Sequence, residues 1–103
     1  MNDGSGHGFA IDGELSIYRA AELAQALQLW VQQLPEMVQP SLDLSAVTEM
    51  DSAGLQLLLS LHKTLRAQGM ELTITAASEA VRDVLALTGV LQGSVAAEDA
   101  HEL

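Results

Sequence analysis

The spacing of hydrophobic positions changes several times along the chain, and each change marks an element. Gly8-Phe9-Ala10-Ile11-Asp12-Gly13 alternates weakly, as a short strand does, and Glu14-Leu15-Ser16-Ile17 follows as a turn or a second short strand. From Tyr18 to Leu34 the period becomes helical. Ala20, Leu23, Ala24, Leu27, Trp30, Val31 and Leu34 recur at three- and four-residue spacing, and Pro35 stops the helix. Pro40-Ser41-Leu42-Asp43-Leu44 alternates again and suits a strand, with Ser45 to Met50 expected as a loop.

A second helix is expected after Asp51. Leu55, Leu58, Leu59, His62 and Leu65 mark one face, Leu57 and Leu61 widen it, and Gly69 suits its C-terminal cap. Glu71 to Ala76 alternates strictly, with Leu72, Ile74 and Ala76 on one side, and is the clearest strand. Ser78 is placed to cap a third helix that holds Val81, Val84, Leu85 and Leu87 inside and ends at Gly89. Strand and helix alternate three times, which predicts an α/β fold with at least part of its sheet parallel and helices mainly on one face. Residues 1–7 read as a flexible leader, 8–92 as the domain and 93–103 as an acidic tail.

Composition narrows the function. The chain has 103 residues, which suits one domain. Hydrophobic residues are 49% of it but aromatics only 3%, so the core must be built from aliphatic side chains. With no cysteine, disulfides, thiolate metal sites and a cysteine nucleophile are excluded. Four basic residues stand against fourteen acidic ones, a net charge of −10. Arg19, Lys63, Arg66 and Arg82 are too few and too scattered for a nucleic-acid footprint, and anionic membrane surfaces are disfavoured for the same reason. No stretch is apolar enough for a membrane span or a signal peptide, so direct membrane insertion is not expected and the expected location is the cytoplasm. The acidity suits plain solubility or steering toward a basic partner.

Nothing in the sequence points to a catalytic or metal constellation. His7 and His101 lie in the terminal segments, and His62 stands on the apolar side of a helix, where a satisfied or half-buried histidine is the ordinary role. Gly4-Ser5-Gly6-His7-Gly8 is glycine-rich but precedes a strand instead of joining strand to helix, so it is no phosphate loop. The expectation is a non-enzymatic protein without cofactor or metal.

The informative segment runs from Leu42 to Leu59: a strand leads through a loop into a helix beginning at Asp51-Ser52. Serine is a favoured helix N-cap, and Ala53 and Gly54 are small residues suited to a crowded strand-to-helix corner, so local chemistry alone accounts for all three. A serine at a helix start is also exposed. A phosphate on it would meet free backbone N–H groups and the positive end of the helix dipole, so the site can carry one without unfolding.

Asp43-Leu44-Ser45 followed by Met50-Asp51-Ser52-Ala53-Gly54-Leu55 resembles the signature of STAS domains, above all bacterial anti-sigma-factor antagonists. Gly13-Glu14-Leu15-Ser16 resembles the family's Gly-Glu-Leu-Asp element, and Gly69-Met70-Glu71-Leu72 its glycine-led third strand. Ser78 to Gly89 resembles its last helix, so the likeness runs from about Gly8 to Leu91. The resemblance implies a small STAS fold, with a mixed sheet of about four strands packed with about three main helices. It further implies that Ser52 is phosphorylated by an anti-sigma-factor Ser/Thr kinase and dephosphorylated by a Ser/Thr phosphatase. The unphosphorylated form would bind the kinase and free its sigma factor. Ser16 departs from the aspartate often found there, which opens the way to a different partner such as a two-component regulator. STAS domains also serve as constitutive subunits of bacterial ABC lipid transporters, which is the alternative role.

The expected docking face comprises Glu14 and Ser16, the corner Asp51-Ser52-Ala53-Gly54, and the helix flank Gln56, Ser60 and Lys63. That flank fits a plain solvated helix side equally well.

Overall fold

A computed structural model gives the fold, and the structure describes residues 7–88. In chain order it comprises β1 (Gly8–Leu15), α1 (Ala20–Gln32), β2 (Ser41–Met50), α2 (Ser52–Ala67), β3 (Thr73–Ala77) and α3 (Glu79–Thr88). Among the described residues the sheet has three strands in the order β1-β2-β3, and both pairings are parallel. Parallel neighbours need a crossover between them, which α1 and α2 supply. The α/β architecture expected from the alternation is the one observed.

One core unites all the elements. Ile11 and Leu15 of β1, Leu42 and Leu44 of β2 and Ile74 of β3 are buried on one side of the sheet. Leu23, Leu27 and Val31 of α1 pack on them, joined by Leu58, Leu61 and Leu65 of α2 and Val81 and Leu85 of α3. Each fully buried aliphatic side chain contributes roughly 1.5–3 kcal/mol relative to exposure. Phe9 and Trp30 close one edge with ring centroids 5.4 Å apart. The opposite face of the sheet shows Ala10, Asp12, Asp43 and Ser45 to solvent.

Three expectations about the elements are corrected. Ser45–Met50 is not a loop but the second half of β2. Its alternation is hidden by register shifts against β1, between Ala10 and Asp12 and again between Gly13 and Glu14. Each shift sets an extra β2 residue against β1, so the buried positions run Leu42, Leu44, Val47 and then half-buried Met50. Glu14 and Leu15, set apart in the sequence reading, belong to β1 itself. Leu87, expected inside, is 87% exposed, because it lies about 200° around α3 from Leu85.

The helix ends follow local chemistry. Gly69 has φ +80, Met70 N donates to Leu65 O at 2.9 Å, and Gly69 N donates to Arg66 O at 3.0 Å. This paired pattern is the glycine-closed helix end expected at that position. Ser78 Oγ accepts from Val81 N at 3.3 Å and caps α3. Residues 1–6 and 89–103 lie outside the described residues, and with them most of the expected leader (1–7), the end of the expected domain (8–92) including Gly89, and the expected acidic tail (93–103).

Candidate functional site

The site forms where the C-terminal ends of β1 and β2 meet the start of α2. β2 runs straight into α2 with a single residue, Asp51, between them. Asp51 is extended, with φ −120, and its carboxylate is the N-cap. This corrects the sequence reading, which gave that role to Ser52. Aspartate and serine are both good caps, and sequence alone does not say which of two adjacent candidates takes the extended backbone.

The Asp51 carboxylate joins two elements. Oδ1 accepts from Gly54 N at 3.0 Å, inside the first turn of α2. Oδ2 accepts from Ile17 N at 3.1 Å, in the corner after β1. The backbone repeats the tie, since Asp51 N donates to Leu15 O at 3.3 Å. The Gly54 N–H, followed by the Ile17 N–H, holds the Asp51 carboxyl below its ordinary value of 3.8, so the group is ionised at neutral pH.

Ser52 is the first residue of α2 and is exposed, Ala53 is half-buried, and Gly54 is buried. A Cβ built on Gly54 would lie 2.1 Å from the backbone oxygen of Leu15. The signature glycine thus lets α2 press against the end of β1, and that approach brings Asp51 within reach of Ile17.

The corner after β1 is built from its own polar groups. Ser16 is buried. Its Oγ donates to Glu14 Oε1 at 3.0 Å and accepts from Tyr18 N at 3.3 Å. A carboxylate at position 16 would set like charges against each other at Glu14, whereas the hydroxyl satisfies it. Arg19 N closes the turn on Ser16 O at 3.0 Å. The Arg19 guanidinium bonds the carbonyls of Asp12 and Glu14 around Gly13, which has φ +75, and reaches Glu22 at 3.4 Å.

Two residues that the sequence reading passed over complete the site. Ile17 is 66% exposed and Tyr18 is 87% exposed, side by side on the corner that Asp51 holds. The available signal was two apolar residues between Ser16 and Arg19 that fit neither the strand alternation nor the stripe of α1.

Ser52, Gln56, Ser60 and Lys63 are all exposed and recur at helical spacing along one side of α2. Gln56, Ser60 and Lys63 line a broad surface depression of about 620 Å³ with Leu59, His62 and Arg66. His62 is half-buried, and its Nδ1 is buried with no hydrogen-bond partner. A separate groove of about 310 Å³ runs between α1 and α2. Among the described residues no cluster of His, Asp and Glu could hold a metal ion, and no helix is long and apolar enough to cross a membrane.

Fold and site together define a small parallel α/β domain with one strand-to-helix corner that joins a capping aspartate, an exposed serine and a glycine that no side chain could replace without a clash. The chain belongs to the STAS domain family, whose model matches residues 6–100. It is 30% identical over 80 residues to the anti-sigma-B factor antagonists of Listeria monocytogenes and Listeria innocua, covering 78% of this chain and 68% of each relative. Solved structures share the fold. The STAS domain of a SulP transporter from Vibrio cholerae superposes with a TM-score of 0.66 at 24% identity, over 85% of this chain and 70% of that one. A sulfate transporter family protein from Wolinella succinogenes superposes with a TM-score of 0.68 at 17% identity, over 86% and 74%.

Proposed function

We propose that this chain is a non-enzymatic regulatory module of the anti-sigma-factor-antagonist type, and that it binds a protein partner on the surface around the start of α2. Phosphorylation of Ser52 by a Ser/Thr kinase of the anti-sigma-factor class switches that binding off, and a Ser/Thr phosphatase restores it. The observation that carries this reading is the exposed Ser52 at the first turn of α2, beside the ionised Asp51 and the exposed Ile17–Tyr18 pair. The curated relatives named as anti-sigma-B factor antagonists support it. The hydroxyl is reachable by a kinase, and the free N–H groups of a helix start accommodate a phosphate. A phosphoserine adds close to two negative charges at pH 7, which a docked partner would have to desolvate.

The test has two parts. The chain is incubated with ATP and the anti-sigma-type kinase encoded in the same genome, and the phosphorylated residue is located by mass spectrometry. The same kinase is then titrated against wild type, Ser52→Ala and Ser52→Glu. Modification at Ser52, with tight binding by the first two proteins and weak binding by the third, is expected. Equal affinities for all three would reject the switch and favour a constitutive subunit of a transporter or scaffold.

A further inference from the structure

The Asp51 carboxylate links the helix start that holds Ser52, the residue proposed to carry the phosphate, to the corner that carries the exposed apolar side chains Ile17 and Tyr18. It spends one oxygen on α2, through Gly54 N at 3.0 Å, and the other on the corner after β1, through Ile17 N at 3.1 Å. Both bonds depend on one side-chain conformation, so the carboxylate cannot leave one donor and keep the other unchanged. Ile17 and Tyr18 project from the corner that it holds, 66% and 87% exposed. We infer that Asp51 is a latch: charge on Ser52 displaces its carboxylate, releases Ile17 N–H and loosens the Ile17–Tyr18 pair, so that the Ser52 state is read out as order or disorder of an apolar anchor. This rests on Ser52 as the modified residue, but the latch itself can be tested whichever enzyme adds the phosphate.

The direction follows from elementary electrostatics. A phosphate on Ser52 is covalently one residue from Asp51 and carries close to two negative charges. It also competes for the same donors, because the first-turn N–H groups of α2, Gly54 among them, are the natural ligands of an anion at a helix start. Repulsion and competition act on the carboxylate together, and both move it away from the position that serves Ile17.

What remains at the corner does not hold Ile17 directly. The Tyr18 N bond to Ser16 Oγ is 3.3 Å, the turn bond from Arg19 N to Ser16 O is 3.0 Å, and the backbone tie from Asp51 N to Leu15 O is 3.3 Å. None of them fixes Ile17 itself. Nearby positive charge gives no counterweight, since the Arg19 guanidinium is committed to the carbonyls of Asp12 and Glu14 and to Glu22. A loosened anchor must be ordered again on binding, which lowers affinity without any change in the contacts finally made. The effect adds to direct repulsion of the partner.

The experiment uses the whole chain with phosphoserine placed at position 52 by genetic encoding, compared with unmodified protein by backbone NMR. Ordered backbone gives order parameters near 0.85, and flexible backbone gives values below about 0.6. The expected result is a fall at Ile17 and Tyr18 toward the flexible range, with amide exchange of Ile17 faster by about tenfold or more. Leu42 and Ile74, deep in the sheet, should not change. Asp51→Asn is the second variant. Its side-chain oxygen still accepts from Gly54, but its amide group cannot also accept from Ile17. It should therefore loosen Ile17 without phosphate, and phosphoserine should add little further. Phosphoserine at Ser60, on the same side of α2 but two turns away, should leave Ile17 ordered. An Ile17 amide that stays ordered and slowly exchanging beside phosphoserine 52 would overturn the latch. So would equal loosening by phosphoserine at Ser60. Neither result would bear on whether a kinase recognises Ser52.

Discussion

The carbonyl oxygen of Leu15 occupies the space that a side chain at Gly54 would need: a Cβ there would stand 2.1 Å from it. Both residues are buried, and the obstruction is backbone, which cannot rotate aside as a side chain would.

Gly54→Ala is therefore expected to be strongly destabilising. Overpacking a rigid site costs about 1–3 kcal/mol and sometimes more, and in a domain of this size each kcal/mol lowers Tm by about 4–8 °C. Gly69→Ala is the comparison. Nothing lies within 4 Å of its Cβ, but its φ of +80 is left-handed, so only the backbone cost of about 1–2 kcal/mol applies. Thermal melts should rank Gly54→Ala below Gly69→Ala. Only the first should also disturb the amides of Leu15 and Asp51.

Much of this arrangement was legible in the sequence, and the parts that were not share a cause. Helical periodicity gave α1 and α2, strict alternation gave β3, and the glycine at 69 and serine at 78 marked helix ends where the structure has them. These features depend on near neighbours in the chain. The second half of β2 did not read as a strand, because its register shifts respond to pairing with β1, a distant partner. The capping bond from Gly54 N to Asp51 is local, but aspartate and serine cap equally well and sequence does not say which of two neighbours takes the extended backbone, while Asp51's second bond, to Ile17, crosses 34 residues and leaves no local pattern. The exposed Ile17–Tyr18 pair was missed for the same reason. Apolar residues at an element boundary look like core until the tertiary fold leaves them outside.

Relocating the cap changes what Ser52 should contribute to stability. As an exposed first-turn residue it makes no capping bond, so Ser52→Ala should fall within about ±0.5 kcal/mol of wild type. Asp51→Ala should be visibly worse, because it leaves Gly54 N and Ile17 N without their acceptor. Asp51→Asn should lie between them. Chemical denaturation of the three variants gives the ranking. A Ser52→Ala protein as unstable as Asp51→Ala would return the cap to the serine.

Acid sensitivity follows from the same carboxylate. The Gly54 and Ile17 N–H groups hold Asp51 below its ordinary 3.8, and the Ser45 hydroxyl followed by the Ser45 N–H does the same for Asp43. A carboxyl depressed in the folded state contributes stability above its unfolded value, and that contribution is lost as pH falls through the folded one. Melts should therefore show stability declining below about pH 4, more steeply for wild type than for Asp51→Asn, which has no proton to take up there. Ser45→Ala should flatten the decline in the same direction by removing the larger support of Asp43. Identical acid slopes for wild type and Asp51→Asn would mean that the carboxylate bonds do not persist in solution.

The position of the docking surface separates two groups of residues that share one helix end. The Ile17–Tyr18 corner is apolar, exposed and fastened, which is the character of residues that dominate binding energy at interfaces. Gln56, Ser60 and Lys63 are exposed polar side chains on the flank of α2, where most contacts are worth little. Tyr18 is 87% exposed, so Tyr18→Ala should leave Tm almost unchanged. If the corner is the anchor, the same change should weaken binding of the Ser52-directed kinase by about tenfold or more, which corresponds to about 1.4 kcal/mol. Lys63→Glu reverses a charge on the flank and should act chiefly on the association rate, with a smaller and salt-dependent loss. Titrations at two ionic strengths distinguish the outcomes. A salt-independent loss at Tyr18 with a modest salt-dependent one at Lys63 places the centre of the interface at the corner. A large loss at Lys63 with none at Tyr18 would move it onto the flank of α2 and leave Ile17 and Tyr18 as ordinary surface residues.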